Sequence, residues 1–175
     1  KNSFINSMGS FLGLPHRYEI FFKKKGITFI NDSKATSLQA SKFALASSKN
    51  IYWIFGGLPK EKDKINFKSI KKNIIRSYII GNNINFFKKQ LKNKIKFTIS
   101  KNLKNAIISA LKEIKSLNRS DSTILLSPGA ASFDQFKNFE GRGDKFKELS
   151  KIVIVKVWFR RSKTISARCK YQTFI

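Results

Sequence analysis

Between Ser127 and Asp144 the chain reads Ser-Pro-Gly-Ala-Ala-Ser-Phe-Asp-Gln-Phe-Lys-Asn-Phe-Glu-Gly-Arg-Gly-Asp. Hydroxyl, glycine and small residues crowd its first half. It follows a short apolar run, Thr123–Leu126, that reads as a buried strand. Pro128 and Gly129 stop that strand. Ser132 stands in N-cap position with Gln135 three residues on, the spacing of a capping box, which predicts a helix opening there. A strand that turns on small residues into a helix start presents free backbone N–H groups, and these suit a carboxylate or a phosphate. Taken alone, the same pattern is an ordinary strand-to-helix turn.

Two further loops carry groups of matching chemistry. Asp32-Ser-Lys-Ala-Thr36 ends an apolar run and precedes a helical stretch. There Asp32 could accept from ribose hydroxyls, Lys34 could meet phosphate, and Thr36 could bind a carboxylate oxygen. Gly56-Gly57 closes another strand, and Lys60 just beyond it can reach an anion in a crevice. His16, the only histidine, stands beside Arg17 before the first strand, where the pair could face a nucleotide. Each residue has a plainer reading: helix caps for Thr36 and Ser132, solvated charges for the lysines, packing for His16. The three loops together outweigh it.

The elements that must position these groups follow from periodicity. Tyr18–Lys24 and Ile27–Asn31, split by Lys25-Gly26, form a hairpin. A helix runs to about Ser47, then a buried strand Ile51–Phe55. A helix is expected around Phe67–Ile75, a strand Ser77–Ile80, a helix Asn83–Leu91 and a strand Ile95–Ile99. Leu103, Ile107, Ala110, Leu111 and Ile114 share one helical face. Phe146, Leu149 and Ile152 mark a final helix. Alternation of this kind predicts an α/β fold: a Rossmann-like, open, mostly parallel sheet of about six strands, with helices on both faces and an antiparallel hairpin at its start. In such sheets ligands sit outside the carboxyl ends of the strands, where all three loops lie.

Length and composition set the bounds. At 175 residues and 41% hydrophobic the chain can bury one domain core. Its formal charge is +26, mostly from lysines spread along its whole length. A basic nucleic-acid-binding module is the alternative this charge raises. The lysines lack a zinc-finger or RNP-like frame, so a solvated lysine surface is the preferred reading, without nucleic acid as partner. One cysteine, Cys169, cannot form an internal disulfide and points to a reducing compartment, the cytoplasm. No run reaches transmembrane length, so no membrane partner is expected. The sequence contains no phosphate-cradling Gly-x-x-x-x-Gly-Lys-[Ser/Thr], no dinucleotide fingerprint and no metal-ligand spacing.

Gly13-Leu-Pro-His-Arg-Tyr-Glu19, Asn31-Asp-Ser-Lys-Ala-Thr36, Gly56-Gly57 with Lys60, and the Ser127–Gly143 run resemble the Mur ligases, from about Gly13 to Ile152. Within that family they resemble the members that add D-glutamate; the Asp134–Glu140 run argues against a member adding another amino acid. The resemblance implies residues 1–15 as the end of a central ATPase domain and its hinge. Residues 16–153 would then be the C-terminal, amino-acid-binding domain. Residues 154–175 run past the family's usual end and read as a frameshifted, foreign or disordered tail. The resemblance also implies a peptidoglycan-precursor ligase, a monomer when complete. It uses ATP and Mg²⁺ to activate the carboxylate of UDP-N-acetylmuramoyl-L-alanine as an acyl phosphate, which the D-glutamate amine attacks. By matching position Thr36, Lys60, Ser132, Phe133 and Phe139 would line the D-glutamate pocket. Arg17, Asp32, Lys34 and, less closely, His16 would contact ATP. No catalytic residue or metal ligand is carried over.

Overall fold

The computed structural model describes residues 13–159 of the chain. Most of residues 1–15, expected as the end of a central ATPase domain and its hinge, lies outside them, as do Cys169 and the tail beyond Phe159. Six strands form one sheet: β1 (Glu19–Lys24), β2 (Ile27–Asn31), β3 (Ile51–Gly56), β4 (Ile74–Ile80), β5 (Phe97–Lys101) and β6 (Ser122–Leu126). Their spatial order is β1-β2-β6-β3-β4-β5. Only β1 is antiparallel, to β2; every other neighbour pair is parallel. The helices are α1 (Leu38–Ser47), α2 (Ile84–Leu91), α3 (Leu103–Ser116) and α4 (Phe139–Phe159). This is the expected α/β architecture.

Strand β3 is buried along its whole length. Its side chains still alternate between the two faces, as the strand period requires. Trp53 and Phe55 pack on one side with Leu38 and Leu45 of α1 and Phe87 and Leu91 of α2. Tyr52 and Ile54 pack on the other with Leu103, Ile107 and Leu111 of α3 and Phe146 and Ile154 of α4. Helices therefore cover both faces, and a parallel sheet buried on both sides reads as unbroken apolar strands.

Three local expectations are corrected. No helix spans Phe67–Ile75. One turn closes over Phe67 through the Ile70 and Lys71 N–H groups. A 3₁₀ turn (Lys71–Asn73) follows, and Ile74 already pairs with Ile51 in the sheet. Phe67, Ile70 and Ile74 are all buried, so their helix-like spacing comes from a turn running into a strand. Strand β5 begins at Phe97, not Ile95, because the chain keeps winding after α2: both Lys94 and Ile95 N–H groups donate to the Leu91 carbonyl. The helix expected at Ser132 opens at Phe139. Asn138, not Ser132, caps it, its side-chain oxygen accepting from Gly141 N–H at 2.8 Å. Residues 132–136 make a single turn closed on the Ser132 carbonyl. Gln135, which the capping box needed, is used elsewhere, as is Asp134 beside it. Asp134 accepts from Asn82 N–H, and Gln135 donates to the Lys101 carbonyl.

Candidate functional site

Because β2, β3 and β6 run parallel, the segments after Asn31, Gly56 and Leu126 leave the sheet at one edge. Each loop is tied to the other two. Leu58 and Ala131 form an antiparallel bridge with reciprocal backbone bonds of 2.9 and 3.0 Å. That bridge sets Lys60, two residues past Leu58, against the loop that carries Ser132. Gly129 N–H donates to the Ala35 carbonyl at 2.9 Å, next to Thr36. The Asp63 carboxylate accepts from Leu38 N–H at 2.6 Å, closing the third side of the triangle. It also places a negative charge at the start of α1, where the helix dipole favours one. Ser37 caps the same helix through Ala40 N–H.

Thr36, Lys60 and Ser132 thus stand on three mutually bonded loops at the carboxyl edge. Lys60 is exposed and forms no ion pair among the described residues. Ser132 is buried and Thr36 half-buried. Phe133 is 70% exposed, so its ring offers an unfilled apolar surface beside Ser132. Phe139, half-buried, lies with a different group: its ring meets His16 edge-on at 6.0 Å, and Lys34 Nζ sits 5.4 Å from its centroid.

The residues read as nucleotide contacts separate into two kinds. Arg17 and Lys34 are exposed cations, free to meet an anion. Asp32 is buried, and both its oxygens are engaged: Oδ2 accepts from Ser127 Oγ at 2.7 Å and Oδ1 from Tyr18 N–H at 3.1 Å. Burial pushes its carboxyl above the usual value of 3.8, partly offset by Ser127, Tyr18 and Arg17. In this structure Asp32 is a loop tie. His16 is also buried, with a left-handed backbone (φ 61°). Its Nδ1 lies 3.0 Å from Asn31 Nδ2. A Cβ on Gly143 would collide with that ring, so only glycine lets α4 approach here.

A cavity of about 630 Å³ opens elsewhere, beside Gln39, Phe67 and Lys94. None of Thr36, Lys60 or Ser132 lines it. Among the described residues no group of three or more His, Cys, Asp or Glu is placed to hold a metal ion. No helix among them is long and apolar enough to cross a membrane.

No protein-family model matches the chain. Individual curated proteins do. The UDP-N-acetylmuramoylalanine–D-glutamate ligase of Nitrobacter winogradskyi is 41% identical over 140 residues, 80% of this chain and 30% of that protein. The ligase of the same name from Rhizobium meliloti is 39% identical over 142 residues, 81% of this chain and 31% of that protein. The one from the Wolbachia of Brugia malayi is 42% identical over 146, with 83% and 29% covered. The chain is a homologue of these D-glutamate ligases. It spans about 30% of their length.

In this ligase homologue, residue-by-residue reading missed three structural partners of the site. Arg142 is 1% exposed and reaches two of the loops. Asp63 joins the Lys60 loop to α1. Asn31 joins His16, Glu19 and Ser33. Arg142 had a signal, since an arginine between two glycines on a helix face is unusual. Asp63 and Asn31 had none, because an acid in a loop and an amide at a strand end are common.

Proposed function

We propose that this chain is the C-terminal, amino-acid-binding domain of an ATP-dependent, ADP-forming ligase that joins D-glutamate to UDP-N-acetylmuramoyl-L-alanine in peptidoglycan-precursor synthesis. One observation carries the reading: the Leu58–Ala131 bridge that joins the Lys60 and Ser132 loops, with the Thr36 loop bonded to both. A dicarboxylate needs a cation and hydroxyl donors converging on one crevice. Lys60 would hold one carboxylate through a charge-assisted bond, Thr36 and Ser132 would donate to carboxylate oxygens, and Phe133 and Phe139 would shape the walls. Holding the amine in line with its electrophile would be the domain's main contribution to rate. The similarity to D-glutamate ligases supports this choice of substrate.

ATP, when bound, supplies the phosphoryl group that activates the acceptor carboxylate. The exposed cations Arg17 and Lys34 fit its phosphates and would form one wall of its site. Asp32 would keep their loop in place, with His16 packed behind it. The described residues offer no Mg²⁺ cage, so the reading assigns no metal ligand here. The cytoplasm, where these precursors would be available, is the compartment this reading requires.

Lys60→Ala tests the proposal in the full-length ligase. A charge-assisted bond is worth roughly 1.5–3 kcal/mol, so KM for D-glutamate should rise about ten- to a hundredfold, with KM for ATP moving less. Unchanged D-glutamate kinetics would remove Lys60 from the pocket.

A further inference from the structure

The buried guanidinium of Arg142 touches both principal loops of the edge. Its Nε donates to Ser33 Oγ at 3.0 Å and its Nη2 to the Ser33 carbonyl at 2.8 Å. Its Nη1 donates to the Ala130 carbonyl at 3.0 Å. Ser33 Oγ passes the connection on, donating to the Phe139 carbonyl at 2.7 Å. The third loop leaves no room for a side chain beside the guanidinium. A Cβ on Gly57, where φ is 135°, would lie 3.3 Å from Nη1 and would collide with the Ala131 carbonyl. One side chain therefore spans Ser33, three residues before Thr36, and Ala130, two before Ser132, and it packs under the start of the Lys60 loop.

The cation forms no ion pair among the described residues. Burial lowers its pKa to about 10, opposed by the nearby charge of Asp134, so it stays protonated at neutral pH. A buried charge without a carboxylate partner is a poor stability device. What it does well is geometric. The planar fork sends rigid donors in several directions at once, which an ammonium on a flexible stem cannot reproduce.

We propose that Arg142 is a positioning residue: its guanidinium sets the spacing of the 32–37 and 127–138 loops, and with it the convergence of Thr36, Lys60 and Ser132. That the converged side chains hold D-glutamate rests on the function proposed above. The spacing role does not.

The test uses the 175-residue chain as wild type, Arg142→Lys, Arg142→Ala and Ser33→Ala. Amide hydrogen exchange is read at Leu58, Gly129 and Ala131, which tie the loops, and at Leu125 in the sheet as reference. Arg142→Lys should speed loop exchange about tenfold or more, the equivalent of one lost hydrogen bond, and leave Leu125 nearly unchanged. Ser33→Ala should give the same pattern, more weakly. Methylguanidinium should restore loop protection in Arg142→Ala and do nothing to the wild type. Loop amides that stay protected in both Arg142→Lys and Ser33→Ala, or that change only in step with Leu125, would overturn the proposal. D-glutamate titration separates the two readings. Weakened binding in Arg142→Lys supports both. A wild-type chain that shows the exchange pattern and binds no D-glutamate keeps the positioning role and removes the substrate.

Discussion

Glu19 shows how single residues hold the entry to this domain. Its Oε2 accepts from His16 N–H and from Asn31 Nδ2, both at 3.0 Å, and its Oε1 lies 3.3 Å from Lys147 Nζ. Burial by itself pushes its carboxyl up. The bonds from His16, Lys147 and Asn31 outweigh that and hold it below the ordinary value of 4.5. A carboxyl lowered by folding stabilises the protein above its unfolded pKa, and that contribution disappears as pH falls through the folded value. Asp32, raised by burial, has the opposite sign, contributing below its unfolded pKa and losing that contribution as pH rises. The comparison of wild type with Glu19→Gln isolates Glu19. The variant should melt lower at pH 7, and the two melting curves should converge on acidification below about 4.5, the unfolded value. A constant difference across that range would mean that Glu19 acts through its shape and not its charge. Residue chemistry of this kind was only half legible beforehand. Lys60 and Thr36 could be picked out because a cation and a hydroxyl after strand ends advertise themselves. The tie made by Asp32 to Ser127 joins residues far apart in the sequence, and no local pattern reports it.

Helix α4 decides the most at the scale of elements. It runs unbroken from Phe139 to Phe159 and crosses position 153 without a cap. Val153 and Ile154 are buried in the core, and Val157 and Trp158 pack against it. Lys115 Nζ donates to the Val157 carbonyl at 3.0 Å from α3. Ile154→Ala should therefore cost about 2–5 kcal/mol, the range for truncating a buried isoleucine, measured by urea denaturation. A loss well under 1 kcal/mol would mean that the last turns of α4 do not stabilise the domain. Helix α1 makes a smaller test. Asp63→Ala removes an acceptor from its first turn and should cost about 1 kcal/mol, as the loss of a cap does. The same change should loosen Lys60 relative to Thr36. The helix expected at Ser132 failed for a reason of this scale. Capping-box spacing is a local signal, and Gln135, its second member, instead donates to the Lys101 carbonyl at the end of β5.

The whole molecule carries a formal charge of +26 on 175 residues, and that excess is self-repulsive in the compact state. Salt shortens the range of that repulsion to about 10 Å at 0.1 M. The thermal midpoint should rise between low and moderate NaCl; a flat response would mean that the lysines are already compensated. The chain spans about 30% of the length of the ligases it resembles, and on the proposed reading its edge residues would supply at most one wall of an ATP site. Purified chain with ATP, D-glutamate and UDP-N-acetylmuramoyl-L-alanine should release no phosphate above background, and phosphate release abolished by Lys34→Ala would show the opposite. At this scale the sequence by itself determined the class of fold, since strand and helix periods alternate and each unit must bury an apolar face. It also determined which three loops hold the polar groups, because Gly, Pro and small residues punctuate the strand ends. Only the tertiary structure decided how those loops meet: the Leu58–Ala131 bridge, the Asp63 tie and the Arg142 fork. Such contacts join positions up to 109 residues apart. They exist only once the parallel sheet has brought its carboxyl ends together, so no window of sequence contains them.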